Sequence, residues 1–274
     1  MYTQVNGHQT YIYTGGKAFD AAKPSIVFIH GVLNDHSVWI LQSRYFANHG
    51  FNVLAIDLPG HCKSAGAPPA SVEAGAAFII SLLDALHIDK VALVGHSFGS
   101  LIAAHVAGSA PGRVSHLALL GTAAPMPVSP ALLDASLHAP DKAIAMVNQF
   151  SHSMLAPPPS TLGPGTWLLG GSRALMRRVL ASNTADNVFH IGFTACNTYK
   201  LADVSVAQSS CAILIIVGTA DQMTTPKAAQ SVIAAAKART VNASTTVVHV
   251  PAGHAMMSEA PDAVLFALRD FLAP

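Results

Sequence analysis

A predicted strand leads almost directly into a predicted helix at residues 91–100, which read VALVGHSFGS. The first four residues are apolar and end at Gly95, a pattern typical of a buried strand. Residues 100–109 contain no proline and are rich in alanine, which predicts a helix. A turn this tight needs small residues beside it, and Gly95 and Gly99 meet that need. The turn therefore presents Ser97 at its apex on a rigid support.

Short apolar segments alternate with helical segments along much of the chain. The predicted strands lie at residues 9–13, 26–29, 53–56, 91–94, 117–120, 213–217 and 246–250. The predicted helices lie at residues 38–49, 72–86, 100–109, 227–238 and 262–271. Near-continuous apolar strands separated by helices indicate an α/β fold, with a mostly parallel, twisted sheet of about eight strands and helices on both faces.

The alternation of strands and helices breaks between residues 122 and 207. This part holds two amphipathic segments and a proline-rich stretch, at residues 141–150, 172–181 and 156–159. We interpret residues 122–207 as a helical cap, a lid inserted into one core domain. Residues 1–121 and 208–274 are then predicted to form that core domain.

The cap carries many apolar side chains and little charge. Its large apolar residues include Met146, Phe150, Met154, Leu155, Trp167, Leu168, Leu169, Leu175 and Met176. Most are expected to pack within the cap, and some are expected to form the roof of a pocket over Ser97. Three arginines, at positions 173, 177 and 178, have the spacing of a solvent-facing side of a helix.

Composition excludes several classes of protein. Of the 274 residues, 51% are hydrophobic and 11% are charged, and the net charge is +1, so neither a disordered chain nor a nucleic-acid partner is expected. No apolar run reaches the roughly 18 residues of a membrane span, and the polar N-terminus lacks a signal peptide's apolar segment. We therefore expect a cytoplasmic protein. Its three cysteines make no disulfide framework, and its fourteen histidines lack metal-ligand spacing, so neither metal nor cofactor is expected.

Residues with catalytic potential follow the predicted strands at their carboxyl ends. Ser97, Asp221 and His254 each follow a different strand, and these strand ends meet at one edge of a parallel sheet. A serine hydroxyl needs a base to become a strong nucleophile. A histidine accepts that proton near neutral pH, and a carboxylate fixes the histidine's tautomer. The sequence therefore predicts Ser97 as nucleophile, His254 as base and Asp221 as acid.

Rival residues fit these roles less well. The segment after the strand at 117–120 reads GTAA and contains no carboxylate. Asp203 precedes its strand, which favours a surface position. His249 lies inside a predicted strand, where we expect it to face packed helices.

Five motifs resemble those of the α/β-hydrolases. Residues 95–99 match the G-x-S-x-G nucleophile elbow, and the order serine, acid, histidine is that of the family. The other four are FIHGVLNDHSVW at 28–39, DLPGHCKS at 57–64, VGTADQMTTP at 217–226 and PAGHAMMSEAPD at 251–262. The resemblance covers nearly the whole chain.

The resemblance implies an oxyanion hole made by the backbone N–H groups of Val32 and Phe98. Because Phe98 begins a helix, the helix dipole would add positive potential there. His30 and Gly31 are then expected to support the oxyanion loop, and Gly95 and Gly99 the elbow. His96 is expected to point away from Ser97, and His36 to line the pocket mouth or cap a helix. Asp57 and Ser64 are expected to pin a turn.

The resemblance also implies acyl transfer to water. We expect a carboxylesterase-type serine hydrolase that acts on uncharged, fairly apolar small esters through an acyl-enzyme intermediate. Lactone hydrolysis and cleavage of a carbon–carbon bond in a diketone use the same machinery and stay open, as does acyl transfer to another acceptor. A non-catalytic ligand receptor is a further alternative. The expected partner is a small ester or lactone, and both a monomer and a homodimer stay open.

Overall fold

A computed structural model describes residues 1–153 and 167–273. The strands are β1 (Tyr2–Val5), β2 (His8–Tyr13), β3 (Ser25–Ile29), β4 (Asn52–Ile56), β5 (Val91–His96), β6 (Val114–Leu120), β7 (Ala212–Gly218) and β8 (Thr245–Val250). The helices are α1 (Ile40–Asn48), α2 (Val72–Ala85), α3 (Phe98–Ser109), α4 (Pro130–His138), α5 (Pro140–Ser151), α6 (Leu168–Ala181), α7 (Val188–Thr198), α8 (Ala202–Gln208), α9 (Gln230–Lys237), α10 (Met256–Glu259) and α11 (Pro261–Leu272).

The described strands form one eight-stranded sheet in the order β1-β2-β4-β3-β5-β6-β7-β8. The pairs β1–β2 and β2–β4 are antiparallel, and every later pair is parallel. The predicted fold class, a mostly parallel sheet of about eight strands in an α/β protein, is therefore confirmed. Each predicted strand lies within one of β2 to β8.

The central strands carry apolar residues on both faces because helices cover both. Val27 and Ile29 of β3 belong to a core cluster with α2 and α3. Ile26 and Phe28 of the same strand belong to a second cluster, on the other face, with α1 and α11. Successive side chains of a strand point to opposite faces, so a strand covered on both sides is apolar throughout. The continuous apolar runs of these strands made their positions predictable from the sequence.

Several element boundaries differ from the prediction. β1 was not predicted, because only Val5 of its four residues is buried and its apolar signal is weak. The helix expected from residue 38 begins with a 3-10 turn at His36–Trp39, where Asp35 accepts from the Ser37 amide. The helix expected from residue 227 begins at Gln230, after turn residues that follow Pro226.

Helices α4 to α7, in the segment predicted to be a cap, share their own apolar cluster. Leu132, Ile144, Met176 and Phe189 are buried in it, together with Leu33 from the loop after β3. These helices therefore pack against that loop. The boundary at residues 122 and 207 stays a prediction. α8 contributes Ala202 and Val206 to the main core cluster.

Two of the predicted cap features, Met154 with Leu155 and the prolines at 157–159, lie outside the described residues. Within the described part of the chain, each helix is too short or too polar to cross a lipid bilayer.

Candidate active site

The elbow is tighter in the structure than in the sequence prediction. β5 continues through Gly95 and His96, which pair with β6, and α3 begins at Phe98. Ser97 alone lies between them, with φ 54° and ψ −119°. A non-glycine residue in this region is strained. Two backbone hydrogen bonds stabilise this strained conformation. The Ser97 amide donates to the Leu120 carbonyl, and the Ser100 amide donates to the Ser97 carbonyl.

Gly95 and Gly99 permit the backbones at the elbow to approach closely. A Cβ atom at Gly95 would overlap with the carbonyl oxygen of Gly99. A Cβ atom at Gly99 would overlap with the carbonyl oxygens of Ile29 and His30. Since these neighbours are backbone atoms, they have little freedom to move. Neither position therefore has room for a side chain unless the backbone moves.

Gly99→Ala is expected to lower the free energy of unfolding by about 3 kcal/mol or more, because overpacking against backbone strains the elbow. Urea denaturation of the purified variant measures this. Gly171→Ala is the matched control, since its Cβ atom would meet nothing within 4 Å and alanine favours a helix. Equal stability of the two variants would contradict the account of the elbow.

Asp221 and His254 form a buried, hydrogen-bonded pair. The Nδ1 atom of His254 lies 2.8 Å from Oδ2 of Asp221. The other carboxylate oxygen accepts from the amides of Met223 and Thr224, at 2.8 Å each. Burial opposes ionisation, but the charge of His254 and the hydrogen bonds lower the pKa of Asp221 below its usual value. Asp221 is therefore an ionised carboxylate aimed at the imidazole.

Thr224 is a residue of this site that sequence reasoning missed. Its hydroxyl donates to Oδ2 of Asp221 at 2.8 Å and lies 3.1 Å from Nδ1 of His254. The side chain is buried. The sequence signal that could have identified it is the spacing D-x-x-T. An aspartate commonly accepts from the backbone amides two and three residues later, and the resulting turn brings the side chain of the third residue close to the carboxylate. That turn holds the hydroxyl against the carboxylate.

Thr224→Val is expected to lower kcat/KM by about tenfold or more, since a hydrogen bond to a charged group contributes about 1.5–3 kcal/mol. Thr224→Ser retains the hydroxyl and is expected to keep the wild-type kcat/KM. Steady-state kinetics of both variants measure this, and an unchanged kcat/KM in Thr224→Val would contradict this role.

His96 lies against His254 rather than turning away from the site, which corrects the sequence-based expectation. Its ring centroid is 4.7 Å from that of His254, and its Nε2 atom lies 2.9 Å from the His254 carbonyl oxygen. Burial lowers the pKa of His96 to about 3. His96 is therefore neutral at ordinary pH and donates from Nε2. No sequence signal distinguishes this orientation.

His30 is hydrogen-bonded through both ring nitrogens to nearby backbone groups. Its Nδ1 atom donates to the Gly31 carbonyl at 2.8 Å, and its Nε2 atom accepts from the Leu58 amide at 3.1 Å. Burial lowers the pKa of His30, so the ring is neutral. A Cβ atom at Gly31 would lie 3.1 Å from the Cβ atom of Ser97. The loop therefore passes close to the elbow.

Two backbone amides are candidate donors at the site. Val32 follows Gly31 in the loop after β3 and lines a cavity together with Ser97, and Phe98 directly follows Ser97 as the first residue of α3. Among the hydrogen bonds between described residues, neither the Val32 nor the Phe98 amide has an acceptor. A free N–H at a helix start is suited to a developing negative charge.

Two cavities meet at Ser97 and His254. The larger has a volume of about 680 Å³ and the smaller about 280 Å³. As expected for a roof, several cap residues line them, namely Phe150, Trp167, Leu168, Leu175 and Met176. Met146 packs against the cap cluster instead, and Leu169 is exposed. Ser97 therefore opens onto two distinct spaces.

The cap arginines do not line either cavity as far as the structure describes them. Arg177 pairs with Asp141, and Arg178 reaches buried Asp35 at 2.6 Å. Burial opposes ionisation of Asp35, but hydrogen bonds from Ser37 and Arg178 lower its pKa to about 2. All three cap arginines are exposed, which confirms their expected solvent-facing position. The link from Arg178 to the oxyanion loop was not predicted.

Asp35, His36 and Asp57 form a cluster whose ligand atoms all lie within 4.8 Å of one another. Such a group has donors suited to a metal ion, but each side chain already has a partner. Nδ1 of His36 lies 2.7 Å from Asp57 Oδ1, and Asp35 pairs with Arg178. The Ser64 hydroxyl donates to the Asp57 carbonyl at 2.7 Å, which confirms the pinned turn. His36 holds this turn rather than lining a cavity.

The rival residues lie away from the site. His249 is exposed on the edge strand β8, so the expectation that it faces packed helices is wrong. Asp203 lies in the first turn of α8, where its carboxylate accepts from the Val204 amide. Ser97 therefore lies at the strained elbow and lines both cavities, and His254 of the buried acid–histidine pair lines the same cavities.

This combination of fold and site has a counterpart in a known family. The profile of the alpha/beta hydrolase fold matches residues 24–261. The chain therefore belongs to the alpha/beta hydrolase fold family.

Individual relatives and structures resemble the chain to different extents. It is 35% identical over 96 residues to (E)-2-((N-methylformamido)methylene)succinate hydrolase of Acinetobacter baylyi, covering 35% of this chain and 36% of that protein. It is 33% identical over 118 residues to lipase LipV of Mycobacterium tuberculosis, covering 42% and 44%. The matches thus span less than half of these relatives. A crystal structure of an enol-lactonase from Burkholderia xenovorans covers 100% of both chains with a TM-score of 0.83 and 22% identity, a likeness in fold.

Proposed function

We propose that this hydrolase-fold protein hydrolyses carboxylic esters of uncharged small molecules, with Ser97, His254 and Asp221 as its catalytic triad. One observation carries the proposal. Strained Ser97 lies at the meeting point of two cavities that His254 also lines, and His254 is hydrogen-bonded to buried Asp221. A structural serine needs neither the strain nor the cavity.

The proposed reaction begins when Ser97 Oγ attacks the ester carbonyl carbon while its proton passes to Nε2 of His254. The carbonyl oxygen becomes an oxyanion and accepts from the Val32 and Phe98 amides. His254 then gives the proton to the departing alcohol, which leaves an acyl group on Ser97. Water, deprotonated by His254, attacks this acyl-enzyme and releases the acid.

Asp221 stabilises the imidazolium form of His254 during both steps. Its lowered pKa keeps it negatively charged while His254 is positive. Neutral His96 stands against the His254 ring without adding a second positive charge. This arrangement supports His254 as the base.

The cavity linings support an uncharged substrate. No lysine, arginine, aspartate or glutamate is among the described residues that line either cavity. A charged substrate group would therefore be buried without an ionic partner, which is costly. A cytoplasmic location and the oligomeric state stay predictions.

The proposal is tested with p-nitrophenyl esters of increasing acyl length, together with lactones and a carbon–carbon cleavable diketone. We expect release of p-nitrophenol with a maximum at an intermediate or short acyl length. Hydrolysis of lactones without hydrolysis of the p-nitrophenyl esters would indicate that the substrate is a cyclic ester. Turnover of the diketone alone would contradict it in favour of carbon–carbon cleavage, and ligand binding without any turnover would favour a receptor.

A further inference from the structure

The two cavities at Ser97 have several lining residues in common. Val147 of α5, Phe193 of α7 and Met223 after β7 line both of them, as do Ser97 and His254. These three apolar side chains therefore border both cavities where the two adjoin at Ser97. A carbonyl group held at Ser97 has one substituent on each side of this division.

The smaller cavity is mainly apolar. Met126, Val128, Leu132, Phe150 and Cys196 line it. Of its polar side chains, Gln222 is exposed to solvent, Ser129 accepts from the Leu132 amide and Thr224 donates to Asp221. Burial also raises the pKa of the Cys196 thiol, which keeps it neutral. This cavity is suited to a compact hydrocarbon group.

The larger cavity adds hydrogen-bonding groups from both core and cap. Asn34 comes from the oxyanion loop, Ser172 from α6 and Ser258 from α10, and His152 follows α5. They stand beside apolar Leu168 and Leu175 of α6. An amide, hydroxyls and an imidazole without an opposing charge favour a neutral group that carries oxygen or nitrogen atoms.

We propose that the substrate is an ester with two unequal arms: a compact apolar arm in the smaller cavity, and a larger, neutral arm bearing hydrogen-bonding atoms in the larger one. This inference rests on the proposed function, because the carbonyl group between the arms must react at Ser97. The difference between about 680 and 280 Å³ sets the inequality. Because His152 Nδ1 is already bonded to the Asn148 carbonyl and Ser258 is exposed, the groups that an alkyl arm in the larger cavity would leave without a partner are the side chains of Asn34 and Ser172.

The test blocks each cavity separately. Val128→Phe enlarges a side chain that lines the smaller cavity. Gly171→Leu adds a side chain in the larger one, at a position where a Cβ atom meets nothing within 4 Å. Val241→Phe and Gly112→Leu are the matched controls, since neither residue lines either of these two cavities. Val241 is exposed, and a Cβ atom at Gly112 also meets nothing within 4 Å.

Two ester series are measured with proton release as the readout. One lengthens the acyl group with a constant methyl alcohol, and the other lengthens the alcohol with a constant acetyl group. Each blocking variant is expected to lower kcat/KM for the longest esters of one series only, by about tenfold or more. Val128→Phe should affect one series and Gly171→Leu the other. In the series that responds to Gly171→Leu, wild type should prefer an ether-containing arm over an alkyl arm of equal length by about three- to tenfold.

The outcomes separate the two proposals. If both blocking variants lower the same series, or if neither changes either series relative to its control, the two-armed substrate is overturned. A preference for the alkyl arm would overturn the polar character of the larger arm. If wild type hydrolyses no ester in either series, the proposed function itself fails.

Discussion

Ser97→Ala is expected to abolish ester hydrolysis, with a loss in kcat on the order of 10⁵-fold or more. The substitution removes the atom that forms the acyl-enzyme, while the cavities and the backbone donors of Val32 and Phe98 remain. Binding and oxyanion stabilisation alone account for only about 10³–10⁴-fold over water. Initial rates with a p-nitrophenyl ester, followed over hours for the variant, measure the loss.

Ser109→Ala is the matched control for this substitution. Ser109 ends the same helix, and its exposed hydroxyl bonds only to the His105 carbonyl. We expect its rate to stay within twofold of wild type. Circular dichroism of Ser97→Ala should match wild type, because no buried hydrogen bond of the described structure involves its hydroxyl. Retention of more than a tenth of the activity by folded Ser97→Ala would exclude Ser97 as nucleophile.

Asp221→Asn is expected to lower kcat by about 10⁴-fold with little change in shape. An amide does not balance the imidazolium charge of His254, and its NH₂ group favours the wrong histidine tautomer. The rival carboxylate provides the control. Asp203→Asn, on α8 and away from both cavities, should retain full activity. A large loss in Asp203→Asn together with an active Asp221→Asn would exchange the two roles.

The same pair of variants predicts a pH dependence of stability. The pKa of Asp221 is lowered in the folded protein. Its negative charge therefore stabilises the fold at pH values above the pKa of the unfolded chain, and this contribution disappears as the pH falls through the pKa of the folded protein. Wild type should therefore be more stable than Asp221→Asn near neutral pH. The difference in free energy of unfolding should shrink below pH 3.8, the ordinary value. Urea denaturation at several pH values measures it, and a difference that grows on acidification would contradict the ionised state.

The sequence predicted those features that depend on patterns within one segment. Strands such as β3 and β5 are buried on both faces, so their continuous apolar runs stand out. The elbow was predictable because Ser97 has strand, glycines and helix on either side. Asp221 and His254 followed because carboxyl ends of parallel strands share one edge of the sheet. β1 was missed because an edge strand with one buried residue has no such run.

The features that sequence reasoning missed depend on contacts between distant segments. The ring of His96 meets His254, which is 158 positions away in the chain. Arg178 reaches Asp35 across 143 positions. No local pattern specifies such pairs. The larger cavity also has more polar lining than the apolar composition of residues 122–207 indicated, because Ser172 and His152 line it while apolar residues such as Ile144 pack in their own cluster.

The most direct test of the account is to detect an acyl group on Ser97. Wild type is mixed rapidly with p-nitrophenyl acetate and quenched in acid, and intact mass followed by peptide mapping locates the adduct. We predict one acetyl group per chain, on the peptide that contains Ser97, and none on Ser97→Ala. An adduct on another residue, or p-nitrophenol release by wild type with an adduct that persists in Ser97→Ala, would contradict it.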